Sequence, residues 1–352
     1  MQDPVNYPGS GAGGPTYERR PSRGWWKILA VILVPVVLAG FALIMLGGIV
    51  AAVAASSGSD SHVDEKYYAL DKNGTDKIAI ITVEGTIMEG DGFVKRQIDH
   101  AREDEHVKAI VLRVDSPGGT VTGSDFIYHY LKKLRLERKL PVVVSMGGLA
   151  ASGGYYVSMA CTPEENIIFA EPTSWIGSIG VIIPHYDLSG LVDKLDIHED
   201  AIKSGPLKQM GSMLRPMTDK EREIFQQLVD DSFSRFKGIV EGGRPGFKKD
   251  PTALDKVATG QVFTTKQSID NGLVDKEGYL EDAIDRAADL AKLDKSKTKA
   301  VKYKKPFSLF EGVLASAKAQ RGLDITAVDV KSFVELASPR AWYLWSWPGV
   351  GH

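Results

Sequence analysis

Cysteine is almost missing from this 352-residue chain: Cys161 stands alone, so no disulfide can close within it and no cysteine cage can hold zinc. An excess of one charge is missing as well. The formal net charge is −2, without the basic surplus of a dedicated nucleic-acid binder, so no nucleic-acid partner is expected. Histidine is sparse: the seven are His62, His100, His106, His129, His185, His198 and His352, with none between 129 and 185. No repeat of solenoid period recurs. What is there, 43% hydrophobic and 25% charged residues, is globular composition and excludes a wholly disordered or collagenous chain.

One long hydrophobic run stands near the N-terminus. Residues 1–24 are rich in Gly and Pro and read as a disordered tail. Trp25, Trp26 and Lys27 then lead into an uncharged run from Ile28 to Ala55. At about 1.5 Å per residue a helix of that run exceeds the roughly 30 Å hydrocarbon core of a bilayer. Pro35 is tolerated in such a span. Arg19, Arg20, Arg23 and Lys27 precede the run, and Asp60, Asp64 and Glu65 follow it. The positive-inside rule therefore predicts a single-pass anchor over 25–55, with a cytoplasmic tail and everything beyond about residue 56 outside. A cleaved signal peptide is the competing reading, and the run is long for one.

A polar linker covers 56–74. Beyond it, Ile78–Val83, Ala109–Val114 and Val142–Ser145 read as buried strands, with helices predicted over Phe93–Glu103 and from Val121 to Leu134. This alternation predicts an α/β domain over 75–294 with a mainly parallel, covered sheet. Thr218–Glu241 reads as a long amphipathic helix, since Phe225, Val229, Phe233, Phe236 and Val240 recur at spacings of three and four. A last helix is expected from Leu280 to Leu293. The extension 295–352 opens on a lysine-rich stretch and ends in Trp342-Tyr343-Leu344-Trp345-Ser346-Trp347. It reads as a tail packed on the body, or as a contact with a membrane surface or partner.

Two glycine-rich turns carry the candidate chemistry. Asp115-Ser116-Pro117-Gly118-Gly119 follows a strand, and its glycines expose backbone N–H groups. The second, Ser145 to Tyr156, reads as a strand end whose Ser152 starts a helix among Ala150, Ala151, Gly153 and Gly154. These small neighbours are expected to leave room for a substrate, and a helix start offers donors to an anion. The alternative is that Ser152 only caps the helix. A nucleophilic serine needs a base. No histidine lies near it in sequence, but Ile202-Lys203-Ser204-Gly205-Pro206-Leu207-Lys208 carries two lysines between turns.

With these motifs, the chain resembles the short-form signal peptide peptidase A family (family S49), Ser/Lys peptidases of the ClpP/crotonase-like superfamily. The resemblance covers roughly residues 75–292. Its carriers are Asp115–Gly119, Ala151-Ser152-Gly153-Gly154-Tyr155-Tyr156, Gly177-Ser178-Ile179-Gly180-Val181 and Lys203–Lys208, in that order. It implies a spiral α/β fold, a nucleophile at Ser152 and a general base at Lys208, with Lys203 non-catalytic. Ser178 would orient the amine, and the N–H groups of Gly153 and of Gly118 or Gly119 would form an oxyanion hole. It further implies peptide substrates such as released signal peptides, no cofactor and no metal, and a ring-like or dome-like homo-oligomer with shared active sites. Ser and Lys can then come from neighbouring subunits; pairing within one subunit stays open. Thr162–Asn166 departs from the pattern as a short insertion, expected to lengthen a loop near the site. Thr265 and Ser268 stand where the family carries Gly and Ala.

A free lysine is only about 0.1% neutral near pH 7.4 and cannot then accept a serine proton. Burial among apolar neighbours such as Leu207 and Met210, with closure by a second subunit, is the expected remedy. Two other classes compete: a crotonase-type acyl-CoA enzyme using the same N–H pairs, and a non-catalytic ring scaffold.

Overall fold

Val, Ile, Leu and Ala fill three central strands so completely that neither face of the sheet can meet water. In the computed structural model, which describes residues 63–305 and 341–344, Ile78–Ile81, Ala109–Leu112 and Val142–Val144 are fully buried. Such runs suit parallel strands covered on both sides. In chain order the strands are β1 (Asp64–Leu70), β2 (Asp76–Glu84), β3 (Val107–Ser116), β4 (Gly118–Thr120), β5 (Val142–Ala151), β6 (Ile168–Ala170), β7 (Trp175–Gly177), β8 (Val262–Thr264), β9 (Lys276–Glu277), β10 (Thr298–Lys304) and β11 (Trp342–Leu344). The helices are α1 (Phe93–Glu103), α2 (Val121–Arg138), α3 (Gly153–Ser158), α4 (Ser189–Lys194), α5 (Asp219–Gly243), α6 (Pro245–Lys249), α7 (Pro251–Val257), α8 (Thr265–Asp270) and α9 (Leu280–Leu290).

Nine of the described strands form one mixed sheet, ordered β1-β10-β2-β3-β5-β6-β9, with β7 also on β5 and β8 on β7. Only the β1–β10 and β7–β8 pairs are antiparallel. The mainly parallel α/β expectation therefore holds. β5 is longer than its sequence predicts: it runs on through the glycine-rich stretch to Ala151. Its free edge pairs first with β6 at Val144–Met146 and then with β7 at Leu149–Ala151. Two strands thus share one edge, and the second brings Ser178 to the end of β5.

α9 packs on β3, β5 and β6 through Ala283, Ile284, Ala287 and Ala288, while α1 packs on β2. There the buried Gln97 amide pairs with the Thr82 backbone, donating to its carbonyl at 3.0 Å and accepting its N–H at 2.9 Å. α5 starts on a capping box in which Thr218 and Glu221 satisfy each other's N–H groups. Its apolar stripe is core only at Phe236 and Val240; Phe225, Val229 and Phe233 are half-buried. The Asp275 carboxylate ties the β6 edge to the end of α5, accepting from the Ile167 and Ile168 N–H groups and, at 2.7 Å, from Arg244.

Several expectations meet the structure differently. The sheet continues past residue 294, because β10 pairs parallel to β2 and antiparallel to β1. β11, by contrast, agrees with the reading of a tail packed on the body, pairing antiparallel with β4. The Thr162–Asn166 loop is not near Ser152. The Thr162 N–H donates to the Val142 carbonyl, at the opposite end of the ten-residue β5 from Ala151. Thr265 and Ser268 are fully buried, and Thr265 Oγ1 donates to the Glu171 carbonyl. The tail at 1–24 and the hydrophobic run at 28–55 lie outside the described residues, as do 306–340 and 345–352. Among the described residues no helix is long and apolar enough to cross a membrane.

Candidate active site

Ser152 sits between the end of β5 and the start of α3 with φ 53° and ψ −113°. A non-glycine residue held at positive φ costs about 1–3 kcal/mol, so the surrounding bonds must impose it. The Ser152 N–H donates to the Gly177 carbonyl at 2.7 Å and its carbonyl accepts from the Tyr156 N–H at 2.9 Å. Its side chain makes no cap bond. The residue is 1% exposed, and its hydroxyl has no hydrogen bond among the described residues. The cap alternative therefore fails: the backbone turn is made without the hydroxyl. Gly153 and Gly154 are small for a different reason than substrate access. A Cβ on Gly153 would lie 2.4 Å from Ser124 Oγ, and one on Gly154 would lie 2.8 Å from the Ser116 carbonyl oxygen.

The two glycine-rich turns meet. Gly118 has φ +95°, and a Cβ there would fall 2.6 Å from the Gly153 nitrogen and 2.0 Å from the Tyr343 carbonyl oxygen. Its own N–H donates to Ser116 Oγ at 3.1 Å, while that hydroxyl donates to the Gly85 carbonyl. On one edge of β4, Gly118 and Thr120 bond to Ile87. By strand alternation the Gly119 N–H and carbonyl face the other edge, in register with Tyr343. Of the two glycines, Gly119 is thus the one directed into the cleft.

Ser178 also holds positive φ, 49°, and is 5% exposed. It follows Gly177, which pairs in register with Ala151, so the two serines leave adjacent strands side by side. Beyond Ser178 opens a groove of about 600 Å³, walled by Ile179 to Ile182, α5 and Leu344. The structure therefore brings Ser152, Gly153, Gly118, Gly119 and Ser178 together. No hydrogen bond among the described residues ties the Lys208 side chain to them. It is exposed on a short 3₁₀ turn, Pro206–Gln209, and its amine makes no hydrogen bond or ion pair among the described residues. Leu207, expected to desolvate it, is 43% exposed. Lys203 instead donates to Gln209 Oε1 at 2.7 Å.

Comparison with known proteins bears on this cluster. The model of peptidase family S49 matches residues 135–294, which holds Ser152, Ser178 and both lysines. A putative protease of Synechocystis sp. is 40% identical over 224 residues, covering 63% of this chain and 76% of the relative. The chain belongs to peptidase family S49. Protease 4 of Salmonella typhi is 39% identical over 231 residues, and this chain spans only 36% of that protein. A putative signal peptide peptidase SppA of Enterococcus faecium is 35% identical over 221 residues, 59% of this chain and 62% of the relative. No cluster of three metal-ligating side chains occurs among the described residues of this S49 member.

Sequence reasoning missed the side-chain bonds that tie α3, which Ser152 starts, to α2 and α5. The Tyr156 hydroxyl donates to Asp125 Oδ1 at 2.6 Å, and Arg235 donates to the same oxygen at 2.6 Å. Burial first, and then the Asp125 carboxylate, push the Tyr156 phenol above its ordinary range. The strand Trp342–Leu344, read in sequence as part of a tail packed on the body without a stated partner, lies along the Gly118–Thr120 edge.

Proposed function

We propose that this S49 chain is a membrane-anchored serine endopeptidase built on a ClpP/crotonase-like spiral, which cuts short hydrophobic peptides with a Ser152/Lys208 dyad. The observation that carries this reading is the uncapped, conformationally strained Ser152 beside Gly118, with a peptide strand paired to the adjoining glycine edge. An extended substrate takes the β4 edge on which Trp342–Leu344 lies here, by main-chain hydrogen bonds. The Lys208 amine takes the Ser152 hydroxyl proton, and Oγ attacks the scissile carbonyl. The oxyanion is held by the Gly153 and Gly119 N–H groups, at the start of α3. Proton return to the leaving amine gives the acyl-serine, which water hydrolyses.

Lys208 is exposed in one chain, and this supports a dyad completed between subunits of a ring-like homo-oligomer. A second copy would bury the arm at 183–217, the segment between β7 and α5 that carries α4 and the Pro206–Gln209 turn, and seat the amine beside Ser178. Lowering the lysine pKa by three units takes about 4 kcal/mol of differential solvation, within reach of such burial. The hydrophobic run at 28–55 would anchor the protein once, with a cytoplasmic N-terminus, and released signal peptides would suit a site held outside the membrane. Ser152→Ala and Lys208→Ala should each lower peptide cleavage by at least about 10²-fold. Mixed oligomers of the two variants should regain activity, because some interfaces then pair an intact serine with an intact lysine. Near wild-type cleavage by Lys208→Ala would end this reading in favour of another base. An acyl-CoA enzyme or a scaffold would leave peptides uncut by the wild type.

A further inference from the structure

The Ser152 carbonyl and the Gly153 N–H belong to one planar trans peptide group, so whatever holds the carbonyl also aims the N–H, in the opposite direction. The holder is the Tyr156 N–H, which donates to the Ser152 carbonyl at 2.9 Å. α3, the helix that carries this bond, has only six residues, far short of the roughly 12 that an isolated helix needs in water. Its neighbours must therefore fix its place, and two phenols do so. The Tyr155 hydroxyl donates to the Leu273 carbonyl at 2.9 Å, and the Tyr156 hydroxyl donates to Asp125 Oδ1 at 2.6 Å. Both tyrosines are fully buried.

The two pins differ in what stands behind them. Leu273 offers a backbone oxygen, whereas Asp125 offers a side chain from α2 that is claimed again from α5. Arg235 donates to the same Oδ1 through Nε at 3.1 Å and through Nη2 at 2.6 Å. One carboxylate oxygen thus joins α2, α3 and α5. The Arg235 and Asp125 side chains are 57% and 33% exposed, so the ion pair itself adds little to stability. Its effect is on direction: two guanidinium donors hold the carboxylate in the orientation that meets the Tyr156 hydroxyl. We propose that Asp125 and Arg235 are positioning residues for peptide hydrolysis, which act through the Tyr156 hydroxyl and the Tyr156–Ser152 backbone bond to aim the Gly153 N–H at the oxyanion. This role rests on the reading of Ser152 as the nucleophile; the network itself rests on the contacts alone. Without the network, substrate binding stays nearly as it was, and a bond made fully only in the transition state weakens.

The test measures kcat and KM of the full chain in detergent on a quenched-fluorescent peptide of small and apolar residues. Asp125→Ala and Tyr156→Phe should each lower kcat about tenfold, with KM within about twofold of wild type. The two changes combined should cost no more than either alone, since both break the same link. Asp125→Asn keeps the acceptor oxygen and should restore most of kcat. The rate at which a fluorophosphonate labels Ser152 should fall in parallel with kcat, because its phosphoryl oxygen enters the same hole. Thermal melting of each variant separates a lost aim from a loosened fold. A wild-type kcat in Asp125→Ala would overturn the proposal, as would a loss that follows the melting temperature and is equal in Asp125→Asn. If Ser152→Ala cleaves like wild type, the nucleophile reading falls and this role falls with it. If Ser152→Ala is inactive while Asp125→Ala is unimpaired, the positioning role alone falls.

Discussion

Ser152 and Gly118 solve opposite problems in the same few ångströms. Ser152 keeps a side chain at positive φ, while Gly118 lacks one at φ +95° because the space is filled by the Gly153 nitrogen and the Tyr343 carbonyl. Gly118→Ala should therefore fail twice. It should destabilise the fold by about 1–3 kcal/mol through backbone strain, read as a lowered melting temperature. It should also lower peptide cleavage by at least about 10²-fold, because the Cβ would crowd the Gly153 nitrogen in the proposed oxyanion site. Cys161 gives a simpler case. It is 2% exposed, and burial pushes its thiol up to about 12. Ellman's reagent at pH 8 should label none of it in the native protein and all of it after unfolding in guanidinium.

Among the elements, the arm at 183–217 and the start of α5 are joined by one buried carboxylate. Glu221 is 2% exposed and accepts from Arg215, which also donates to the Gln209 carbonyl beside Lys208. The Arg215 bond, followed by the Thr218 backbone bond, lowers the Glu221 pKa to about 2 against the opposing effect of burial. A carboxyl lowered on folding stabilises the native state fully above its ordinary value near 4.5, and that contribution fades as pH falls toward 2. At pH 7 Glu221→Gln should reduce unfolding free energy by about 2 kcal/mol. Denaturant midpoints of the variant and wild type should converge between pH 5 and pH 2. A gap unchanged over that range would place the pair's contribution elsewhere.

For the whole molecule, the notable surface is the same arm. Leu191, Leu195 and Ile197 are 53%, 60% and 49% exposed, and Ile202 is fully so. These exposed apolar side chains are ones that the proposed contact between copies would cover. Paired substitutions Leu195→Asp and Ile202→Asp should shift sedimentation toward the monomer and lower peptide cleavage in proportion, with the melting temperature of the body little changed. If the dyad is shared between copies as proposed, dilution of the wild type should lower its specific activity along the same curve.

Sequence alone determined the central sheet, the helices that flank it and the two turns where chemistry gathers. Hydrophobic period, glycine and caps act over a few residues, so Phe93–Glu103 is read to the residue and α5 to within two at its C-terminal end. The same short range explains why β5 was ended early: alanine and glycine look like a turn until β7 supplies a partner for Leu149–Ala151. Only the tertiary structure decided that Gly119, not Gly118, faces the cleft, because that choice depends on where Ser116 and Ile87 bond. It also decided that Tyr343 enters the cleft beside Tyr156, from 187 positions farther along the chain. Register and pocket shape are set by contacts between distant segments, and no local pattern in the amino-acid order encodes them.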